Sequence, residues 1–344
     1  MLCVTLGYPV KSWEGTDPQI TGIKQDDLED WQEAAAYMAS IFENAFVTLA
    51  TTFASNSDGG LFAEDQDLSP KRLSSYSKIY VRAKKKTSRL PLTYWKKTVS
   101  EYQGLQLTYE SDRLPAIAAL ADRMLQQRDG EDVYIAGMWR NSILQDLCWY
   151  HLRQIYPRPE STTPSWSWAS TKESVMWADT APLPVVKVSD IHFTLTSPSN
   201  IGKVVDASIK LTGRVIHGKY VVQARHAPYY TVPCGARMAI ADGQKHSTIM
   251  VTHFYPDFSF GQTSQPVHPG DPLVGIIVYR ERLLWTGLML RPKKGSVDEF
   301  KRIGLFSIQH QDYRNRLGTG MNEGGNRILE SYVASLPLKQ LKIV

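Results

Sequence analysis

Three observations predict an α+β fold for this chain. Residues 25–62 hold a helix–strand–turn unit, residues 91–150 carry helical periodicity, and beyond Pro184 short β-branched runs alternate with turn residues. These divide the chain into an N-terminal unit, 1–62, and a basic linker or loop, 63–90. A helical section, 91–185, then ends in PSWSWAS and packs on an antiparallel β-rich domain, 186–344.

The bounds agree with that division. At 344 residues and 42% hydrophobic, the chain has material for two domains or one large α+β body. The formal charge of +5, from 39 basic and 34 acidic residues, is too small a bias to imply a nucleic-acid partner. Cys3, Cys148 and Cys234 lie far apart, with no C-x-x-C and no His cluster at metal spacing, so neither a disulfide framework nor a metal site is expected. No stretch reaches the roughly 18 apolar residues of a membrane span. The N-terminus lacks the basic flank of a signal peptide, and no Asn-x-Ser/Thr sequon occurs. A cytoplasmic, reducing location follows as the expectation.

In chain order, Leu2–Leu6 is a short strand candidate ahead of a turn-rich run through Pro9, Gly15 and Pro18. Asp26 and Asp27 can cap a helix whose first turn carries Glu29 and Asp30, where the exposed N–H groups favour carboxylates. Trp31, Ala35, Met38, Phe42 and Ala45 then recur every three or four residues as one apolar face. Val47, Leu49 and Thr51 switch to strand alternation, and SNSDGG at 55–60 ends it. Residues 71–97 hold ten basic residues and no acidic one. With little aromatic interleaving, that stretch reads as a solvated loop rather than a phosphate-binding surface.

Helices are predicted over Pro91–Tyr102, after Asp112 in LPAIAALADRMLQQ, and over Tyr134–Tyr150. Strand candidates follow at Ile191–Leu195, Ala207–Ile216, Tyr220–Gln223, Ser247–Phe254, Leu273–Arg280, Leu283–Leu290 and Arg302–Ile308. They suggest a sandwich or barrel-like domain. The run GTGMNEGG, 318–325, has no dinucleotide fingerprint and reads as a loop.

No nucleophile elbow, zinc-protease motif or phosphate loop is present, so no catalytic residue and no cofactor is assigned. Trp139, Arg140, Trp149, Trp166 and Trp168 could line a pocket for a flat apolar ligand, and His253, in an apolar strand, is the histidine to test first. The competing reading is that the tryptophans clamp the helical section to the β-rich domain through the area each indole buries.

Asp30-Trp31, Met38, Ile41, Ala45 and Gly60-Leu61-Phe62 resemble the fungal heterokaryon incompatibility (HET) module. LTYESDRLPAIAALADRM (107–124), YIAGMWR (134–140) and PSWSWAS (164–170) are similar to the region that follows it in such proteins. GLMLRP (287–292) and FKRIGLF (300–306) resemble their β-rich C-terminal part. The first part of the module, with its Ser-Tyr-x-Trp-Gly strand, has no counterpart here, so 1–62 reads as a partial, truncated module. Ala34 and Phe42 stand where the family carries Glu and Tyr. The resemblance implies a fold related to TIR domains and a role in nonself recognition, with any NAD-cleaving chemistry no longer intact.

Two functions follow as expectations. One is a HET-type protein of incompatibility or defence signalling that contacts a protein partner. The other is an enzyme of secondary metabolism, a cyclase or pericyclic catalyst, that encloses an apolar small molecule and polarises it with a few hydrogen bonds. Neither involves a nucleic acid or a membrane span.

Overall fold

The structure is a computed structural model describing residues 3–7, 45–50, 92–104, 113–127, 132–151, 157–158, 163–177, 183–195, 204–222, 236–240, 249–261, 266–281, 284–310 and 323–344. The chain forms two compact units, residues 1–90 with 115–130, and residues 91–114 with 131–344.

In the first unit, β1 (Cys3–Gly7) pairs antiparallel with β2 (Ala45–Ala50), running from Cys3 opposite Ala50 to Gly7 opposite Ala45. Helix α2 (Pro115–Gln127) starts at a proline, whose missing N–H is harmless in a first turn, and buries Ile117, Ala121 and Met124 at helical spacing. The helix expected from Asp26 lies outside the described residues up to Asn44, as does the basic stretch before residue 92, and Ala45, placed on the helix's apolar face, begins β2 instead.

The second unit opens with α1 (Leu92–Gln103), whose inner face is Trp95, Thr98, Val99 and Gln103. A small hairpin follows, β3 (Tyr134–Ile135) and β4 (Met138–Trp139), then a 3-10 turn at Arg140–Ser142 and the single-turn α3 (Ile143–Asp146). The helix expected over Tyr134–Tyr150 is therefore not formed. Its apolar spacing is genuine, but Ala136 and Gly137 take φ of 49° and 92°, the turn signature of a two-residue hairpin.

Nine strands make one sheet: β5 (Leu183–Pro184), β6 (Lys187–Leu195), β7 (Val204–Val222), β8 (Ala236–Ile240), β9 (Ile249–Pro256), β10 (Pro272–Glu281), β11 (Leu284–Pro292), β12 (Glu299–His310) and β13 (Leu338–Ile343). The path β10-β11-β12-β13-β7 returns to β10, so these five strands close into a barrel. The 19-residue β7 makes closure geometrically simple. Its first half pairs with β6 and β13 and its second half with β10 and β8.

All pairings are antiparallel except β12–β13, which is parallel. The reading of a β-rich C-terminal part thus holds, and the sheet gains three strands absent from the sequence reading, β5, β8 and β13. The core holds Ile216, Phe254, Ile277, Met289, Ile303 and Phe306, covered by Leu329, Tyr332, Val333 and Leu336 from α4 (Glu323–Ser335) and the residue after it. Glycine makes room for the largest rings. A Cβ at Gly287 would lie 2.6 Å from the Phe306 ring and 2.4 Å from the Ile276 carbonyl oxygen. Residues 323–325, expected in a loop, begin α4, because the apolar stripe beyond them outweighs the poor helix propensity of Gly324 and Gly325.

Candidate functional site

The aromatic motifs of the helical section build two adjoining clusters within the second unit. The first forms around the hairpin tip. The Ser167 hydroxyl donates to the Ala136 carbonyl at 2.6 Å, and the indole N–H groups of Trp168 and Trp95 both donate to the Gly137 carbonyl, at 2.7 and 3.3 Å. Edge-on ring contacts join Trp95 to Tyr134 and Trp139, with centroids 5.7 Å apart in both pairs.

Two carboxylates set the hairpin's exit. The Trp139 N–H and the Ser142 hydroxyl donate to Asp146 Oδ2, and the Asn141 N–H donates to Asp132 Oδ1 at 3.0 Å. Gly137 is required twice over. Its φ of 92° disfavours any side chain, and a Cβ there would lie 2.6 Å from the Trp168 indole nitrogen. Burial pushes the Tyr134 hydroxyl well above the usual phenol range, with the nearby Tyr102 adding to the shift.

The second cluster is organised by Arg302 on β12, which has no exposed surface. Its Nε donates to Asp257 Oδ2 at 3.0 Å and its Nη2 to Oδ1 at 3.1 Å, a two-pronged ion pair. Two further guanidinium hydrogens go to the Leu147 and Trp149 carbonyls, while Cζ lies 3.6 Å from the Trp149 ring centre.

Around it, the Trp149 indole donates to the Trp166 carbonyl, and Ser165 Oγ accepts the Arg302 N–H while donating to the Val344 carbonyl. Arg158 completes the cluster, donating to the Arg302 carbonyl at 3.0 Å and to Asp257 at 3.3 Å, with its guanidinium over the Phe258 ring. One carboxylate thus serves two guanidiniums, that of the buried Arg302 and that of the partly buried Arg158.

The surroundings titrate accordingly. Burial lowers the Arg302 pKa, opposed by Asp257. Burial pushes the Cys148 thiol up to about 12, so it is a protonated, inert sulfhydryl at neutral pH. His151, in edge-on contact with Trp149 and with Nδ1 3.1 Å from the Ser174 carbonyl, is held below its ordinary pKa by burial, opposed by Asp257.

The six candidate residues are divided rather than gathered. Trp139 and Trp168 meet at the hairpin tip, and Trp149 and Trp166 meet at Arg302. Each of these four indoles has 0% of its surface exposed. Arg140 is exposed where the 3-10 turn begins, and His253 lies on β9 opposite Ser307. Trp166 and Trp168 lie in a turn that runs into a 3-10 turn (Trp168–Ser170).

The sequence reading missed Gly137 at the hairpin tip, and missed Asp257, Arg158 and Arg302 as a connected set. Gly137 and Arg302 sit inside the motifs YIAGMWR and FKRIGLF, but nothing local marks Asp257 as the partner of Arg302 and Arg158. Among the described residues, no group of three or more His, Cys, Asp or Glu could hold a metal ion, and no helix is long and apolar enough to cross a membrane.

Comparison with known families adds one finding. Residues 20–129 match the family model described as heterokaryon incompatibility protein (HET). No curated protein and no solved structure matches the chain.

Proposed function

We propose that this chain, which carries a heterokaryon incompatibility (HET) domain at residues 20–129, serves fungal nonself recognition, incompatibility or defence signalling, and that it acts through a protein partner rather than through chemistry of its own. The HET match is the observation that carries this reading.

Two features support the absence of NAD-cleaving chemistry. Ala34 and Phe42 occupy positions where the family resemblance places Glu and Tyr, with Glu33 one position early in the sequence. The second unit supplies a framework, with the indoles of Trp95, Trp149 and Trp168 and the Arg302 guanidinium hydrogen-bonded to the chain itself. An alternative reading, a cyclase or pericyclic catalyst that binds an apolar molecule at Trp139, Arg140, Trp149, Trp166, Trp168 and His253, draws support from the density of aromatic rings. Against it stands the closed packing of those indoles.

The test is inducible expression in a filamentous fungus, scored for growth arrest and for total cellular NAD. The expected outcome is a growth defect at unchanged NAD, relieved by Trp31→Ala. A host that grows normally would refute the signalling role, and a fall in NAD would refute the contact-only mechanism.

A further inference from the structure

We propose that strand β6 is the edge through which two copies of this chain join, antiparallel strand to strand about a two-fold axis at Ile191. β6 ends the sheet, bonded on one side to β7, and among the described residues no strand pairs with its other side. None of its nine residues is buried, whereas the β7 residues opposite its apolar positions, Leu211, Ile209, Ala207 and Val204, all are. A strand edge with free N–H and C=O groups is a template for a further strand.

The order of residues along β6 says which strand fits. In the register with β7, Val188 faces Leu211, Ile191 faces Ile209 and Phe193 faces Ala207, and the bulge between Val188 and Asp190 absorbs Ser189. Val188, Ile191 and Phe193 therefore share one face, half-exposed, while Asp190, His192 and Thr194 take the other. Ile191 is the middle residue of the strand, so a two-fold axis there overlaps all of β6 with its copy. It sets Ile191 against Ile191 of the second copy and carries the row Ile343–Ile209–Ile191 across the junction. On the opposite face it sets Asp190 against His192 of the second copy, twice over.

The charges select both this register and this occupant. Within one copy, Asp190 lies 3.1 Å from Lys210 and His192 lies 3.8 Å from Asp206. Pairing at Ile191 extends these contacts and opposes no like charges. An axis at Asp190 would oppose two carboxylates, and an axis at His192 two imidazoles. Because both copies use the same edge, association stops at two. A contact one strand long falls at the small end of interfaces, below about 1,200 Å², so the pair is expected to form at micromolar rather than nanomolar concentration. None of this rests on the signalling role.

The experiment is sedimentation of the full chain across micromolar concentrations, joined to single cysteine substitutions. The expected result is a concentration-dependent rise from 38.8 kDa to twice that mass. Directly opposed Cα atoms lie about 4.5–5.5 Å apart, within disulfide reach, so Ile191→Cys should link two chains under mild oxidation, read on a non-reducing gel against the parent. Thr194→Cys, three residues off the axis and so about 20 Å from its own copy, should not. Ile191→Lys, which opposes two like charges at the axis, should weaken association by about tenfold or more with the far-ultraviolet circular dichroism unchanged.

A chain that stays monomeric at every concentration would overturn the proposal and leave the edge to a strand of another protein. A dimer in which Ile191→Cys links no faster than Thr194→Cys would overturn it as well, and so would association that continues past two copies. These outcomes read mass and linkage, not growth or NAD, so they stand or fall apart from the test of signalling.

Discussion

Replacing Arg302 by Met isolates the contribution of the buried ion pair, because Met keeps the volume of the stem and removes only the guanidinium. In the structure that group bonds to both Asp257 oxygens and to the Leu147 and Trp149 carbonyls, and it stacks on an indole. Removing one member of a buried pair costs roughly 3–5 kcal/mol, because the other charge stays buried. Arg158 remains on Asp257 and softens that loss, while two orphaned carbonyls restore it at about 1–3 kcal/mol each.

These contributions overlap, so the working figure is about 4 kcal/mol, a large share of the roughly 5–15 kcal/mol that holds a domain folded. For a body of this size that corresponds to a midpoint lower by about 8–16 °C. Chemical denaturation, followed by near-ultraviolet circular dichroism of the buried tryptophans, would measure it. A second arm pairs the change with Asp257→Asn, for which the double variant should lose less than the sum of the singles. A loss below about 1 kcal/mol, or strict additivity, would refute the account of Arg302 as the organising group.

Other outcomes are equally specific. Gly137→Ala should destabilise by about 1–3 kcal/mol through its positive φ alone, with more from the approach to Trp168, and should shift tryptophan fluorescence. Burial keeps His151 neutral in the fold, so the unfolded chain takes up its proton first. The stability it provides is complete above the ordinary histidine pKa of 6.5 and is lost as pH falls below it, a slope that His151→Gln should flatten.

Glu299 behaves as a depressed carboxylate. Hydrogen bonds from Lys293 and Lys342 bring it down to about 2, so its contribution is present above 4.5 and lost as pH falls toward 2. As the pair is partly exposed, Glu299→Gln should cost no more than about 1 kcal/mol at neutral pH, and less in high salt.

How far the sequence disclosed this molecule can be seen in particular residues. Leu273–Arg280 and Arg302–Ile308 were visible as strands because β-branched alternation is local, and β10 and β12 extend them by only a few residues at each end. LKQLKI, now β13, was invisible. Its three outermost positions are exposed, and its strand character comes from β7 and β12 on either side. The error at Tyr134–Tyr150 has a similar source, since apolar spacing alone cannot tell a helix from a hairpin followed by a turn.

The Arg302 cluster was least accessible. It joins residues 149, 158, 165, 257 and 302, whose proximity only the closed sheet creates. A lone arginine in FKRIGLF reads as a surface charge until Asp257 is placed against it.

The closure of the barrel also sets a timetable. Strand β13 lies between β12 and β7, pairing Ile343 with Ile209 and Leu338 with Arg214. Until those last strand residues emerge from the ribosome, β7 and β12 each present an unpaired edge, while much of the rest of the sheet is already synthesised. Such a chain has high contact order and closes slowly. Its nascent form carries two open strand edges, the kind of surface that invites pairing with other chains. Cellular yield of this protein therefore depends on how well those edges are shielded before the ring is shut.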